Sequence, residues 1–373
     1  MKYCEDAVFW ERVDNRGAVV DKVLLLSCDP NRKAWNTVMG PLRDPNPRGA
    51  LWFYDMGSVS SKPRRITLEG YPEEHDFHPL GLDIYVSEPS EPYSNFFVVN
   101  HARNGSTIEQ FKLAWDAPDR AHWVRTLSGP ELVAPNALAL TSPTSFYLTH
   151  DHRFTRRLPG ILGKTLPITE TLLALPLGWT THVTIADDAD TTLVSPPAPA
   201  SHTTVAPYIP FANGVAISPD GMQVAVASTT LCEIRFYARD AHTQGLALHS
   251  RVQTPFAPDN IIFDSRGSLI VAGHPHFPSV VAVAQNRTGA SAPSWVVSIT
   301  PTADAESVGA WEDAGAPVPA SRKVLQTPGY EMRTLYQSDG SAFSSSSTGL
   351  RDAETGVLYI VGLYEEGLMI CTP

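Results

Sequence analysis

The residues most able to do chemistry in this chain are amides and carboxylates that recur in apolar, strand-like runs. Each of the later ones is followed by a tight turn and a second apolar strand, as in Ser218-Pro219-Asp220-Gly221. The members of this series are Glu5, Asp6, Asn136, Asn213, Asp259 and Asn260. A strand–turn–strand unit repeated at wide spacing is typical of the blades of a β-propeller.

The repeat predicts the elements that must position these side chains. Six units in 373 residues give about 60 residues each, which suits a four-stranded blade with its loops. Only one helix is predicted, at 168–175, so an α/β fold is excluded. We therefore predict an all-β, six-bladed β-propeller in a single domain, 1–373. Surface insertions are expected near 180–207 and 302–321, which are rich in Ala, Pro and polar residues.

The first strands of propeller blades line a central tunnel, so the recurring side chains should converge although they are far apart in sequence. A lone loop Asn more often forms a turn, but equivalent positions in several blades make that explanation weaker. The converging set is Glu5, Asn136, Asn213, Asp259 and Asn260. Hard oxygen ligands of this kind suit calcium, so we predict a tunnel that holds Ca²⁺.

Composition excludes several other classes. The chain has 28 Lys and Arg against 39 Asp and Glu, a net charge of −11, so no nucleic-acid partner is expected. No apolar run is long enough to span a membrane, and the four cysteines lack zinc-site spacing. The amino terminus lacks the apolar segment of a signal peptide.

Several motifs together resemble the paraoxonase/arylesterase family of calcium-dependent lactonases and esterases. The matching segments are Glu5-Asp6, Pro79-Leu80-Gly81, Val98-Val99-Asn100-His101, Phe211 to Gly221, Asp259-Asn260-Ile261 and His274-Pro275. The resemblance implies a six-bladed propeller with two calcium ions. The upper, catalytic ion would be held by Glu5, Asn136, Asn213, Asp259 and Asn260. The lower ion would use Asp6 and the backbone carbonyl of Leu82.

Two departures from the family pattern affect these expectations. The lower site should have an Asp directly after the third-blade Asn, and this chain has Ala137 there. Asp83 is a neighbouring substitute. The family's catalytic histidine pair is reduced to His101, because Leu80 occupies the first position and cannot take a proton. Substitutes for it are His78, Asp83, Asp151 with His152, and His274, and each is alternatively a hydrogen-bonded tunnel residue.

By resemblance, we expect a calcium-dependent hydrolase of lactones or related esters, with His101 and Asp259 among the catalytic residues and His78, His152 and His274 as further candidates. Two alternatives stay open: a calcium-dependent enzyme of a biosynthetic pathway that cyclises, isomerises or eliminates, and a non-catalytic calcium-stabilised propeller. The expected partner is a small lactone, ester or related carbonyl compound. The apolar segment 158–179 could line a pocket, form a lid or contact a membrane or lipid surface. The resemblance implies secretion, although no signal peptide precedes Glu5 in this chain.

Cysteine pairing is also suggested by the resemblance. The family joins its first and last strands by a disulfide, which would here be Cys4–Cys371. Cys28 and Cys232 are expected to be buried small apolar residues.

Overall fold

The computed structural model describes residues 1–43, 46, 49–57, 61–86, 91–186, 200–302 and 327–373. These residues form six sheets arranged as a six-bladed β-propeller, which confirms the predicted fold class. In five sheets the strands of the blade follow one another in chain order and pair antiparallel. The sixth, at the carboxyl end, shows three strands.

The strands are short and separated by tight turns. The first sheet holds β1 (Cys4–Val13), β2 (Val19–Cys28), β3 (Ala50–Asp55) and β4 (Arg64–Arg65). The second holds β6 (Pro79–Tyr85), β7 (Ser94–Asn100), β8 (Thr107–Leu113) and β9 (Arg120–Leu127), with β5 (Thr67–Glu69) added parallel to β9. The third holds β10 (Pro135–Ser142), β11 (Ser145–His150), β12 (Gly178–Ile185) and β13 (Ala200–Ile209).

The remaining sheets repeat this order. The fourth holds β14 (Ala212–Ile217), β15 (Gln223–Ser228), β16 (Glu233–Arg239) and β17 (Leu246–Gln253). The fifth holds β18 (Ala257–Phe263), β19 (Leu269–His274), β20 (Ser294–Pro301) and β21 (Tyr330–Ser338), and the sixth β22 (Ser346–Arg351), β23 (Leu358–Gly362) and β24 (Met369–Cys371).

The first strands of the sheets contact one another in a closed ring around the tunnel: β1, β6, β10, β14, β18 and β22. Each interface between neighbouring sheets holds one cluster of buried apolar side chains. The second strand of a blade is covered on both faces and therefore consists of nearly continuous buried residues, as in Val224 to Ala227 of β15. This packing fixes the positions of the side chains at the tunnel.

Glycine is required where two inner strands approach most closely. A Cβ on Gly214 would lie 2.7 Å from the carbonyl oxygen of Asp259, and one on Gly81 would collide with the carbonyl oxygen of Asn136. The glycines of two sequence motifs therefore allow neighbouring blades to bring their polar residues together.

In the described part of the chain, two helices lie outside the sheets, and both correct the sequence prediction. Helix α1 spans Gly160–Leu172 rather than 168–175, and it contains Pro167, a residue type that normally disfavours a helix interior. Helix α2 spans Phe277–Ala284 and was not predicted, since its run of Val and Ala resembles a buried strand. Within the described residues, no helix is long and apolar enough to cross a membrane. Helix α1 nevertheless exposes Ile161 and Leu172.

The disulfide prediction was wrong. Cys4 is bonded to Cys28, because the two residues face each other in the β1–β2 register. Cys371 ends the outer strand β24 and is not part of a disulfide. Cys28, which was expected to be a buried small apolar residue, is instead one half of the disulfide. Cys232 is buried, as predicted, and is not part of a disulfide.

The two predicted insertions are only partly described. Residues 178–185 and 200–209 pair as β12 and β13, whereas 187–199 lie outside the described residues. The segment 302–321 lies outside them except for Thr302.

Candidate metal centre

Two cavities formed by described residues contain the polar side chains of the first strands. The larger one, here called the upper cavity, has a volume of about 780 Å³ and is lined by Glu5, Asn136, Asn213 and Asp259 among others. The smaller one, here called the lower cavity, measures about 190 Å³ and is lined by Asp6, Leu82, Asp83, Ala137, Asn260 and Thr348 among others. The structure thus brings together the side chains that the sequence repeat selected.

Hydrogen bonds orient the three amides. Asn260 Nδ2 donates to Glu5 Oε1 at 3.0 Å and to Thr348 Oγ1 at 3.0 Å. Asn213 Nδ2 donates to Asp259 Oδ1 at 2.7 Å, and Asn136 Nδ2 donates to an oxygen of Asp151 at 3.3 Å. In each case a protein group accepts from the amide nitrogen, and the amide oxygen has no hydrogen-bond partner in the described residues.

Four side-chain oxygens in this group are buried and have no hydrogen-bond partner in the described part of the chain. They are Glu5 Oε2, Asn136 Oδ1, Asn213 Oδ1 and Asn260 Oδ1. Each unsatisfied buried acceptor costs about 1–3 kcal/mol, so four of them in one region need an explanation. A bound cation would supply one, because it would take the place of the missing hydrogen-bond donors.

Electrostatics favours the same conclusion. Burial, followed by the nearby carboxylates Asp6 and Asp259, raises the pKa of Glu5 well above its usual range. A cation beside Glu5 would offset both effects. The described residues contain no cluster of three or more His, Cys, Asp or Glu that could hold a metal. The donor set here is instead two carboxylates, Glu5 and Asp259, with three amide oxygens, which suits a hard cation such as calcium.

The lower cavity is different. Asp6 accepts hydrogen bonds from the backbone nitrogens of Ala7 and Leu82 and from the Thr348 hydroxyl. Asp83 accepts from the backbone nitrogens of Ile84 and Leu140, each at 2.8 Å. Burial raises the pKa of Asp6 to about 6 and that of Asp83 to about 7. Hydrogen bonds from the protein therefore reach the oxygens of both carboxylates, although burial still disfavours their ionised forms.

The family histidine that this chain retains has both ring nitrogens engaged. His101 Nε2 lies 2.7 Å from the carbonyl oxygen of Pro135, and Nδ1 lies 2.8 Å from the Thr37 hydroxyl. The carbonyl can only accept, so Nε2 carries the proton and Nδ1 accepts from Thr37. Burial lowers the pKa of His101 to about 4. His101 is thus a neutral imidazole that holds the strand leading into Asn136.

His78 is held as a cation. Nδ1 lies 2.8 Å from Asp29 Oδ2, and Nε2 lies 3.5 Å from Asp76 Oδ2. Burial would lower the pKa of His78, but the hydrogen bonds to Asp29 and Asp76 outweigh it and raise the pKa to about 9. An imidazolium between two carboxylates is a poor proton acceptor at neutral pH.

The other two histidines differ in their access to the upper cavity. His274 lines it and places Nε2 3.0 Å from Asp259 Oδ2. His274 Nδ1 has no hydrogen-bond partner among the described residues. His152 is fully buried, with Nε2 2.7 Å from the Thr171 hydroxyl and Nδ1 3.2 Å from Asp151 Oδ1. His152 therefore links helix α1 to the residue that orients Asn136.

A model of the arylesterase family matches residues 42–309. The chain belongs to the arylesterase family. It is 27% identical over 235 residues to serum paraoxonase/arylesterase 1 of Homo sapiens and 24% identical over 233 residues to serum paraoxonase/lactonase 3 of Oryctolagus cuniculus. Each match covers 62% of this chain and 59% of the relative, so the chain matches less than two thirds of the length of these proteins.

A solved structure supports the fold. The luciferin-regenerating enzyme superposes with a TM-score of 0.50 and 12% identity, covering 100% of this chain and 92% of that chain. Glu5 and Asp6 lie outside the segment that the arylesterase family model matches. Their position at the tunnel rests on the closure of the propeller, in which β1 contacts both β6 and β22.

Three groups at the site of this arylesterase-family chain were not identified from the sequence. Thr348 lies on β22, the first strand of the sixth sheet, in a run of serines that shows little of the repeat. Arg32 and Asp29 come from the segment that follows β2, and both line the upper cavity. That segment reads as a plain insertion rich in Pro, Asn and Arg, so its sequence gives no sign that it covers the tunnel.

Proposed function

We propose that this chain is a calcium-dependent hydrolase of esters and lactones. The observation that carries the proposal is the set of four buried oxygens without partners, contributed by Glu5, Asn136, Asn213 and Asn260. The family membership and the printed names of the relatives, arylesterase and lactonase, support the reaction class.

The ion would be held by Glu5, Asn136, Asn213, Asp259 and Asn260. When bound, calcium supplies a positive charge that polarises a carbonyl and stabilises the oxyanion formed when water attacks. Bound water on calcium is much less acidic than on zinc, so the protein must also supply a base.

We assign the base to the Asp259–His274 pair. Because Asp259 accepts from His274 Nε2 at 3.0 Å, the ring proton stays on Nε2 and Nδ1 keeps its lone pair. Nδ1 has no competing partner in the described residues, so it can take a proton from the attacking water and later return it to the leaving alcohol. His101 and Asp151 are positioning residues, since they hold Asn136 and the strand before it.

The upper cavity provides the space for the substrate. Its volume of about 780 Å³ is in the range of small-molecule sites. Apolar side chains of both helices line it, including Leu172 of α1 and Val280 of α2. Val280 is buried, and burial of this part of the wall strengthens the electrostatic interactions at the floor.

The test of the reaction class is hydrolysis of a panel of γ- and δ-lactones and aryl esters, with calcium and with a chelator. We expect turnover that requires calcium and returns when it is added back. The summed mass of the products should exceed the mass of the substrate by one water, because a cyclisation or isomerisation adds none. A folded, calcium-loaded protein that hydrolyses no member of the panel would contradict the proposal.

The base is tested by comparing two histidine variants. His274→Gln keeps a polar side chain but removes the basic nitrogen, so kcat should fall by about 10²–10⁴-fold. His101→Asn should change kcat by less than about tenfold and act mainly on stability, because both nitrogens of His101 are already engaged. If His101→Asn loses more activity than His274→Gln at equal calcium content, the assignment of the base is wrong.

A further inference from the structure

The upper cavity contains an unusual share of the positive charge of this acidic chain. The net charge of the whole chain is −11, yet five Lys and Arg side chains line this one cavity against four carboxylates. The basic residues are Arg32, Lys33, Arg43, Arg156 and Arg287. In a protein with a net negative charge, a cavity lined by more basic than acidic side chains points to a negatively charged ligand.

The two signs of charge are separated by depth. The carboxylates that line the cavity, Glu5, Asp29, Asp151 and Asp259, are all buried. Arg43 and Arg287 are exposed, and Lys33 and Arg156 are half-buried. The acidic groups therefore form the floor, where the candidate metal ligands lie, and most of the basic groups lie nearer the mouth.

Arg32 opposes the rise in the pKa of Glu5, but the basic groups of the cavity have no directly paired carboxylate among the described residues. In the described parts of the chain, none of the five forms an ion pair with a carboxylate. Arg32 is buried and donates to the carbonyl oxygens of Tyr3 and Pro79, and Arg287 donates to Gln285. Lys33 lies 4.9 Å from the centre of the Tyr3 ring. Carbonyl, amide and ring partners thus orient Arg32, Arg287 and Lys33 without pairing them with a carboxylate.

We propose that the substrate is an ester or lactone that also carries a carboxylate, and that the cations of the cavity bind this second group. The reacting carbonyl would lie at the floor and the carboxylate nearer the mouth, with the apolar chain between them against α1 and α2. The position of the reacting group rests on the proposed hydrolase function. The anion subsite rests only on the arrangement of charges.

Specificity is tested with two matched substrates. One is an aryl ester of glutaric acid with a free carboxylate, and the other is the same aryl ester with that carboxylate capped as a primary amide. We expect kcat/KM to be about tenfold or more in favour of the acid, which corresponds to about 1.4 kcal/mol. Equal values for the two esters would overturn the inference and leave the hydrolase proposal intact.

Charge reversal locates the subsite. Arg287→Glu and Arg43→Glu should each lower kcat/KM for the acid by about tenfold and leave the amide-capped ester within about threefold. Arg251→Glu is the control, because Arg251 is exposed on the outer strand β17 and the change in net charge is the same. A loss in Arg251→Glu equal to that in Arg287→Glu would show that only the overall charge matters and would overturn the inference.

A binding assay separates this inference from the reaction. In the presence of a chelator, glutarate should raise the Tm of the wild-type protein, and glutaramide should not. The Arg43→Glu, Arg287→Glu double variant should lose the glutarate shift, while Arg251→Glu should keep it. If no ester is hydrolysed but this pattern appears, the hydrolase proposal fails and the anion subsite stands. An absent shift in the wild type, or one that the double variant keeps, rejects the subsite.

Discussion

The two ends of the tunnel have similar residue types and opposite hydrogen bonding. The upper end has Glu5, Asn136 and Asn213, and Asn260 donates to Glu5 from the wall of the lower cavity. Each of these four residues has a side-chain oxygen that lacks a partner in the described residues. The lower end has Asp6 and Asp83, whose oxygens accept from backbone nitrogens. Residue type alone therefore does not define a metal site, because a carboxylate can either bind a cation or accept hydrogen bonds from the backbone of a neighbouring strand. The difference leads us to expect one tightly bound calcium ion per chain, at the upper end.

The largest expected effect compares two neighbouring residues on β1. Glu5→Gln should lower turnover by about 10³-fold and calcium affinity by about 100-fold or more, since it removes a carboxylate from the upper set. Asp6→Asn should keep one bound calcium and stay within about tenfold of wild-type activity. Metal analysis and ester hydrolysis measure both. If the two variants lose calcium equally, the distinction between the two ends fails.

A second prediction concerns His78, a charged group of the upper cavity that we expect to act on stability rather than on catalysis. The pKa of His78 is raised to about 9 from 6.5. His78 thus stabilises the fold fully below pH 6.5, and this contribution is lost as the pH rises through about 9. His78→Asn should lower the free energy of unfolding by about 3 kcal/mol at pH 6, with much less difference at pH 10.

Denaturant unfolding at the two pH values measures the His78 effect, and the Km for ester substrates should change little. A large loss of kcat with unchanged stability would instead make His78 part of the catalytic machinery.

Calcium removal should have a somewhat smaller effect on stability. Calcium at 100 times its Kd would stabilise the fold by about 2.7 kcal/mol. Burial and neighbouring carboxylates raise the pKa of Glu5, so the metal-free fold loses stability as the pH rises above about 4.5, whereas calcium requires the ionised form. The gain in Tm on adding calcium should therefore be larger at pH 8 than at pH 6. A gain that falls over this range would contradict the assignment of Glu5.

The smallest effect is expected at the lower end. Asp83→Asn should leave the calcium content unchanged and alter stability by only about 1 kcal/mol at pH 5, where the Asp83 carboxyl, with its pKa raised to about 7, is already protonated. As the pH rises to 8, the variant should gain stability relative to the wild type, because it avoids a buried charge. Loss of one calcium ion per chain would show that the lower end holds a metal.

Much of the fold and of the candidate site could be predicted from the sequence because the polar residues recur in equivalent blades. The repeat predicted that Glu5, Asn136, Asn213, Asp259 and Asn260 would meet, and the structure brings them together. Thr348 was missed because a hydroxyl in a run of serines resembles any polar loop. The roles of the site residues, the single-domain organisation and secretion stay predictions.

Errors arose where local pattern and tertiary environment disagree. The helix predicted at 168–175 started too late, because α1 extends through Pro167 back to Gly160, although proline normally disfavours a helix interior. The Cys4–Cys371 pairing followed the family resemblance, whereas the register of β1 with β2 places Cys28 opposite Cys4. Registers between strands depend on long-range packing, which no short segment of sequence encodes.

The sequence by itself determined the fold class, the arylesterase resemblance and the converging oxygen donors, because periodicity and residue type are properties of the chain alone. Only the tertiary structure decided which oxygens keep a free lone pair and which histidines keep a free nitrogen. His101 and His274 have the same ring, but Thr37 and the Pro135 carbonyl engage both nitrogens of the first, while Asp259 engages only one of the second. Those partners come from distant segments, so folding assigns the chemistry of each group.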